Sequence, residues 1–504
     1  MKRLLYILSL LPLGLNAQNM YNVASFFENE LIGTARYVGM GGSMSALGAD
    51  LSTIGTNPAG MAMFRSNNFV ITGIIDANTN LATYEGTSVK SGDTSFFVGN
   101  TAFVLSMKRE DETLQFLNFG LGYRRKNNLN GAFEMYGASN GWSQQFVIDQ
   151  LYKDQPFDCN NIQEWMYNRF GYNWLSLLAG NAYLGDTIGN FLTYPDTTLV
   201  WRPDELAFYE ETRGGVDVVD LNLSANFGDR IYLGATVGVS IVDYSRYSEY
   251  REIDAWGDIY LLENNRYLKG SGFDLKLGAI IRPFKYSPFK VGVSVHTPTW
   301  YNLTEYSSAA ITDPYGYRFS TADKKLYGDV LTVQNRLRTP WRVNASMSYT
   351  FGSYLALNAE YEYADYTKSK FTDRGQVSKA QNEEIEYNMA AQHIVRVGAE
   401  LNMNGFAMRA GYNYHTAPFA KDAYKYFYNA SVTETSTDYM NRLDKSVATV
   451  GCGYRKGLYY FDVAYMLEMQ KSEFYPFYDF DFINPGATVR SNNHSVVATV
   501  GLRF

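Results

Sequence analysis

Val496-Val497-Ala498-Thr499-Val500-Gly501-Leu502-Arg503-Phe504 puts Val496, Ala498, Val500, Leu502 and Phe504 on one side of an extended chain and Val497, Thr499, Gly501 and Arg503 on the other. Successive side chains of a strand point to opposite faces, so a period of two reads as β-strand. The same alternation sets Phe406, Met408, Ala410, Tyr412 and Tyr414 against Ala407, Arg409, Gly411 and Asn413, and Leu355, Leu357, Ala359, Tyr361 and Tyr363 against Ala356, Asn358, Glu360 and Glu362. It dominates from Phe69 to Phe504. One face is apolar; the other carries small, polar or charged groups.

A soluble β-sandwich alternates too, hiding the apolar face and showing the polar one, so the strand pattern alone does not separate it from a barrel turned inside out. Connection lengths do. Short turns at residues 109–113, 228–229, 283–288, 351–353, 402–405 and 456–457 alternate without exception with long segments at 82–95, 139–213, 253–263, 306–327, 369–384, 416–442 and 470–488. Tight periplasmic turns and long external loops mark a transmembrane antiparallel β-barrel, and the segments between them make about fourteen strands, with both ends on one side. The expected fold is all-β, a barrel over residues 66–504 with a helical extracellular insertion at 139–213. A closing strand that ends in an aromatic, Phe504, suits such a barrel. The 42 tyrosines and 31 phenylalanines suit girdles at the two membrane interfaces, so no single tyrosine is read as a binding residue.

Met1-Lys2-Arg3, an apolar run from Leu4 to Leu15 and the small-residue ending Asn16-Ala17 have the order of a secretory signal, residues 1–17, with the mature chain starting at Gln18. The apolar run is too short to span a bilayer as a helix. The formal charge of -7 falls to -9 when Lys2 and Arg3 leave, so no basic surface points to nucleic acid or anionic lipid. Cys159 and Cys452 give neither a disulfide framework nor metal-ligand spacing. His296, His393, His415 and His494 fall on different strands or strand ends, without a spacing that holds a metal or haem iron. No serine and histidine constellation of a hydrolase stands out. The chain is expected to be a non-enzymatic, monomeric protein embedded in outer-membrane lipid, with no cofactor, no metal and no nucleic-acid partner.

Ahead of the first strand lies a stretch of different character, Gly33 to Asp50, then Leu51 to Thr56 and Asn57-Pro58-Ala59-Gly60-Met61. It is rich in small residues and poor in charge. Glycine allows tight turns and close backbone approach, and Asn57-Pro58 reads as an N-cap followed by the favoured first helical residue, so short compact helical turns are expected. Here the sequence resembles the FadL-type family of outer-membrane transporters for long-chain fatty acids and other hydrophobic compounds, TodX-like aromatic-hydrocarbon channels included. Gly39-Met40-Gly41-Gly42 and Asn57-Pro58-Ala59-Gly60 are similar to that family's hatch signature. Val295-His296-Thr297-Pro298, Arg338-Thr339-Pro340-Trp341-Arg342, Arg396-Val397-Gly398-Ala399-Glu400 and Arg409-Ala410-Gly411-Tyr412 resemble its later strand motifs, in the same order.

The resemblance implies a fourteen-stranded barrel whose lumen is blocked by an N-terminal hatch, residues 18–65. It implies loops that capture a fatty-acid-like hydrophobic molecule, passive passage with hatch movement, and lateral release through a gap at a kinked early strand. The hatch residues carried over are Gly39, Gly41, Gly42, Asn57, Pro58 and Ala59. In the third strand, 114–138, Gly120, Gly122, Asn128 and Gly131 are residue types that interrupt a ladder, and the opening is placed there; packing of the glycines against the hatch is the plainer alternative. Trp142, Phe146, Trp165, Phe170 and Trp174 recur at helical spacing in the long insertion and suggest two amphipathic loop helices, forming either a small loop core or the family's hydrophobic groove. Arg396 and Arg409 are candidates to pair a ligand carboxylate, although neutralisation by neighbouring acids is the plainer reading. A competing function is that of a non-transporting barrel serving as a surface shuttle or interaction protein in secretion.

Overall fold

A computed structural model describes residues 20–26, 28–110, 113–154, 173–182, 203–322, 331–373, 376–377, 379–425, 434–478 and 485–504. The signal segment 1–17, Cys159, Trp165 and Phe170 lie outside the described residues.

The alternating segments form one closed sheet of 14 wall strands. They are β1 (Asn68–Tyr84), β2 (Thr87–Lys108), β3 (Leu114–Asn128, continued by Gly131–Ala138), β4 (Glu205–Phe227), β5 (Ile231–Ile253), β6 (Ile259–Ile281) and β7 (Lys290–His296, continued by Trp300–Thr312). There follow β8 (Leu331–Arg338, continued by Arg342–Phe351), β9 (Leu355–Asp365), β10 (Ala391–Met403), β11 (Phe406–His415), β12 (Tyr439–Lys456), β13 (Tyr459–Tyr475) and β14 (Ala487–Arg503). Each pairs antiparallel with its chain neighbours, and β14 closes on β1 through a register from Asn68↔Arg503 to Thr83↔Thr488. Closure removes the exposed edges that lipid cannot hydrate.

Burial settles sandwich against barrel. Ile71, Ile75, Leu223, Ile241, Leu277, Met347 and Val450 point outward and are exposed, while their inward neighbours Val70, Thr72 and Ile74 are buried. A continuous apolar belt of this kind is untenable in water and correct in lipid. Aromatic side chains flank it: Phe351, Phe406, Tyr454 and Tyr459 near the short turns, Phe273, Trp300, Trp341 and Tyr361 further up. The Asn404-Gly405 turn has φ of 49° and 91°, the left-handed pair that a two-residue hairpin requires.

The strands outrun the expected loops. Residues 82–95 are a continuous β1–β2 hairpin turning at Glu85-Gly86, and β4, β5 and β6 each run 23 residues, about twice what a bilayer crossing needs. β4 begins at Glu205, so the non-strand insertion closes at Asp204, short of the expected Arg213. The two Thr-Pro motifs fall side by side: Thr297-Pro298 breaks β7, Thr339-Pro340 breaks β8, and Thr299 and Thr339 bond each other across the breaks.

Inside the barrel, residues 33–64 form a compact hatch of short helical turns. Thr34 caps Ala35–Gly39, Asp50 caps Leu51–Gly55, and Asn57 caps Pro58–Met63 with Pro58 in the first turn. Gly41 and Gly42 take φ of 63° and 75°, positions where a side chain would be strained. Gly39 has an ordinary φ and room for a Cβ at 3.4 Å from its neighbours. The wall makes room with its own glycines. A Cβ on Gly411 or Gly398 would overlap the backbone of Met40 or Gly41, and one on Gly234 or Gly278 would overlap Pro58 or Asn57. Polar bonds then fix the seat: Ala35 N donates to Thr499 Oγ1 at 2.7 Å, Asn118 Nδ2 to Met61 O at 2.8 Å, and Lys290 Nζ to Leu47 O at 3.0 Å.

Replacing Gly411 with leucine is expected to unseat the hatch while leaving the barrel closed, since overpacking a fitted contact costs about 1–3 kcal/mol. Unchanged heat-modifiable migration together with faster proteolysis at residues 33–64 is the expected readout; proteolysis equal to wild type would show that the wall glycine does not set the fit.

Candidate functional site: a lumen cavity beside a break in the wall

Above the hatch the lumen holds a cavity of about 300 Å³, bordered by β1, β13 and β14, by the middle of β3 and by residues 20–32 of the N-terminal stretch. That stretch, a strap, starts in a short helix, Met20–Val23, whose Met20, with Ala24 and Phe26 beyond it, packs against Tyr244, Tyr301, Leu337 and Phe371 of the wall. Over the cavity sits an apolar cap in the barrel mouth: helices Gln145–Asp154 and Trp174–Asn181 place Val147, Ile148, Leu151, Leu175 and Leu178 against Tyr84, Phe133, Phe208 and Phe474.

The wall is broken beside this cavity. β2 pairs with β1 from Thr87 to Val104 but with β3 only from Asn100↔Arg124 to Lys108↔Phe116. Beyond Arg124, β3 stays on β4, with a register shift at Arg125/Asn127 and a break at residues 129–130, and swings inward. Its upper piece is bonded to the inner side of β1, where Asn80 Nδ2 donates to Ala132 O at 2.8 Å. Side chains replace the missing ladder. Asn128 Nδ2 donates to Ser95 Oγ at 3.2 Å, Glu134 N to Ser91 Oγ at 3.1 Å, and Arg213 of β4 reaches Asp93 at 2.6 Å. The Arg125 guanidinium lies 5.5 Å from the centre of the Phe97 ring.

The strap is tied to this same break. Lys126 Nζ donates to Phe26 O at 3.1 Å, Asn127 Nδ2 to Glu28 O at 2.9 Å, and the Asn128 amide to Glu30 Oε2 at 2.8 Å. Burial pushes the Glu28 carboxyl up, but Lys445 and Arg442 outweigh it and hold the group below the usual range. Glu30 has the opposite fate: desolvation, with repulsion from Glu468 and Asp76, raises it to about 8.

The expected site residues separate into several groups. Asn128 and Gly131 stand at the break. Gly120 and Gly122 do not; they sit in the regular β2–β3–β4 ladder facing the hatch, where a Cβ on Gly120 would press on Met61 and one on Gly122 would touch Ile54. Trp174 is buried, and Trp142 packs, half-buried, against the cap core; Phe146 is half-buried. Arg396 is bonded to Glu360 at 2.9 Å and Glu362 at 2.8 Å, and Arg409 to Glu400 at 2.6 Å and Asp462 at 2.5 Å. Both guanidiniums are thus compensated by wall carboxylates at hatch level. His296 Nε2 contacts Thr56 O at 2.6 Å, and Cys452 is a free, exposed thiol. Among the described residues no three His, Cys, Asp or Glu side chains are grouped to hold a metal ion.

Sequence reasoning missed the strap carboxylates Glu28 and Glu30, the helix Lys379–Asn388, and residues 434–438, which reach Arg246 and Arg266 in the lumen. It also missed a band of polar pairs, Asp76, Asn78 and Asn80 of β1 opposite Ser495, Asn493 and Ser491 of β14. Their spacing of two was the available signal; their partnership across the closure was not.

No family model and no curated protein matches the sequence. Solved structures do match along nearly the whole chain. A Pseudomonas aeruginosa FadL homologue aligns at TM-score 0.55 and 12% identity, covering 94% of this chain and 99% of its own. The Ralstonia pickettii toluene transporter TbuX aligns at 0.52 and 14%, and the P. putida toluene transporter TodX at 0.52 and 11%, each covering 94% of this chain and 99% of its own. At such identities the likeness is one of fold. The protein is an integral outer-membrane β-barrel with the fold of the FadL- and TodX-type channels.

Glu30 makes strap docking pH-dependent. Its docked value of about 8 lies above the ordinary 4.5 of a detached strap, so docking is strongest below pH 4.5 and weakens as pH rises towards 8. Deuterium exchange at the Asn128 amide, corrected for intrinsic rate, is expected to lose protection between pH 5 and 8.5 in wild type but not in Glu30→Gln; parallel profiles would refute the coupling.

Proposed function

We propose that this protein is a passive outer-membrane channel for hydrophobic compounds, which enter past the loop cap, bind in the lumen cavity and leave sideways between β2 and β3. The single observation that carries the reading is the break in the β2–β3 ladder, which lies against the cavity and is fastened by the strap. Transfer from cavity to bilayer keeps apolar surface out of water throughout, at about 25 cal/mol per Å² of area, so no energy source is needed. The named functions of the structural neighbours, toluene transport among them, agree with this class of cargo. Long-chain fatty acids remain a proposed cargo. Arg396 and Arg409 would have to exchange a protein carboxylate for the ligand's, at the level of the hatch.

A second reading, an interaction protein or surface shuttle in secretion, is favoured by the tall extracellular ends of β4–β6. Trp256 and Tyr315, each 87% exposed, stand on neighbouring hairpin tips set side by side by the Leu261↔Thr312 register.

The two are separated by closing the break. In a background lacking Cys159 and Cys452, Ser95→Cys and Asn128→Cys joined by a short thiol cross-linker should reduce uptake of a fluorescent hydrophobic probe into proteoliposomes at least tenfold, and reductive release of a cleavable linker should restore it. Uptake unaffected by the cross-link would overturn lateral exit.

A further inference from the structure

A polar band on β1 and β14 lines the cavity. Asp76↔Ser495, Asn78↔Asn493 and Asn80↔Ser491 are three successive inward cross-strand pairs. Below them the inward positions of the same two strands are Ile74 and Val497, packed on the hatch; above them they are Ala82 and Val489, packed under the cap. The next inward pair below, Thr72↔Thr499, is polar too, but its two hydroxyls bond each other at 2.8 Å and Thr499 takes the Ala35 amide of the hatch, so it is the three pairs at the cavity that offer polar groups to a ligand. The break in β3 adds Asn128, whose amide reaches Asp76 Oδ2 at 3.4 Å.

The chemistry of the band is two-sided, with Asp76 its one acid. Asp76 accepts from Ser495 Oγ at 2.5 Å and Asn493 Nδ2 at 3.1 Å, and has no cation within ion-pair distance among the described residues. Ser491 Oγ donates to Asn80 Oδ1 at 2.7 Å. The side-chain carbonyls of Asn78 and Asn493, facing each other across the register, accept no bond from the protein. The rest of the lining combines the rings of Tyr439, Phe419 and Phe133 with charged side chains such as Arg246, Arg442 and Lys445. A carboxylate placed on this band would meet the Asp76 carboxyl, and the cations of the cavity stand on other strands with acids beside them: Lys445 with Glu28 and Glu468, Arg246 with Glu210 and Asp438, Arg266 with Glu305 and Glu434, and Arg442 with Glu28 at 3.9 Å. A bare hydrocarbon would leave the amides unpaired. A hydroxyl group both donates and accepts, which is what rows of Asn, Ser and Asp offer.

We propose that the lumen cavity binds the neutral, hydroxyl-bearing head group of an amphiphile, with the head on the β1–β14 polar band and the apolar tail towards the rings of Tyr439, Phe419 and Phe133. The inference rests on the channel reading above and narrows its cargo. Asn78 and Asn493 select for the head group; the rings accept any tail.

The test uses the full mature chain in nanodiscs and three probes of equal chain length: monolaurin with a diol head, laurate with a charged head, and dodecane with none. Wild type is expected to bind monolaurin at least tenfold more tightly than the other two, and Asn78→Leu/Asn493→Leu to abolish that preference without weakening dodecane binding. Should the double variant fail to fold, Ser491→Ala with Asn78→Ala replaces it, with the same loss of preference expected. Laurate or dodecane bound as tightly as monolaurin, or a preference that survives the substitutions, overturns the head-group proposal and leaves the channel standing. Failure of all three probes to bind, together with no probe uptake into proteoliposomes, overturns the channel reading and this inference with it.

Discussion

Every N–H and C=O at membrane depth must find a partner within the protein, because hydrocarbon supplies none. That single demand closes the sheet through β1 and β14, and it gives the one interruption of the β2–β3 ladder its significance. β2 and β3 pair from Lys108 up to Asn100, a run that at the usual rise and tilt lifts the end of the ladder about 20 Å, somewhat short of the roughly 25 Å height of an apolar band. The break therefore begins in the outer part of the hydrocarbon, near Phe96, the most exposed apolar residue of β2. Its edges are not left bare. Asn128, Ser95, Ser91, Asp93 and Arg213 bridge them with side chains, which can part and re-form without shifting a strand's register.

The same economy of partners governs the interior. A fitted hatch needs its backbone close to the wall, and glycines at 234, 278, 398 and 411 supply the approach. Charges that line this contact are compensated in place, Arg396 by Glu360 and Glu362, Arg36 and Arg409 together by Glu400. Removing one member would leave an uncompensated buried charge, which is far costlier than the pair itself is beneficial. The lower lumen is thereby built to be rigid.

What the sequence disclosed followed from how local each signal is. Strand alternation, the Asn404-Gly405 turn and the Asn57 cap depend on neighbours in the chain, and all were readable. Residues 82–95 looked like a loop because above the bilayer both faces of β2 carry polar residues: Lys90, Thr94 and Ser88 outside, Ser91, Asp93 and Ser95 inside. The ladder continues where hydrophobic alternation stops. Gly120 and Asn128 looked alike as interrupters, yet only Asn128 stands at the break; what distinguishes them is whether Met61 of the hatch lies opposite, a contact across 59 positions of sequence. The pairing of Asn78 with Asn493 spans almost the whole chain and was beyond reach.

Three bodies fill the lumen, and they are not held equally. The hatch is keyed by overlap-tight glycine contacts and bonded to strands around most of the barrel, and the cap has an apolar core of its own. The strap has a small apolar anchor at Met20, Ala24 and Phe26, then bonds to residues 126–128 and a weak ion pair from Glu28 to Lys445 at 3.4 Å. Glu30, at the centre of that attachment, prefers to be neutral, so an ionised Glu30 works against the docked position. The strap is thus the element with least to lose by moving, and it borders both the cavity and the break. A ligand that displaces its polar part, residues 28–30, needs to outcompete a handful of hydrogen bonds and the Glu28 ion pairs, not the packing of the hatch.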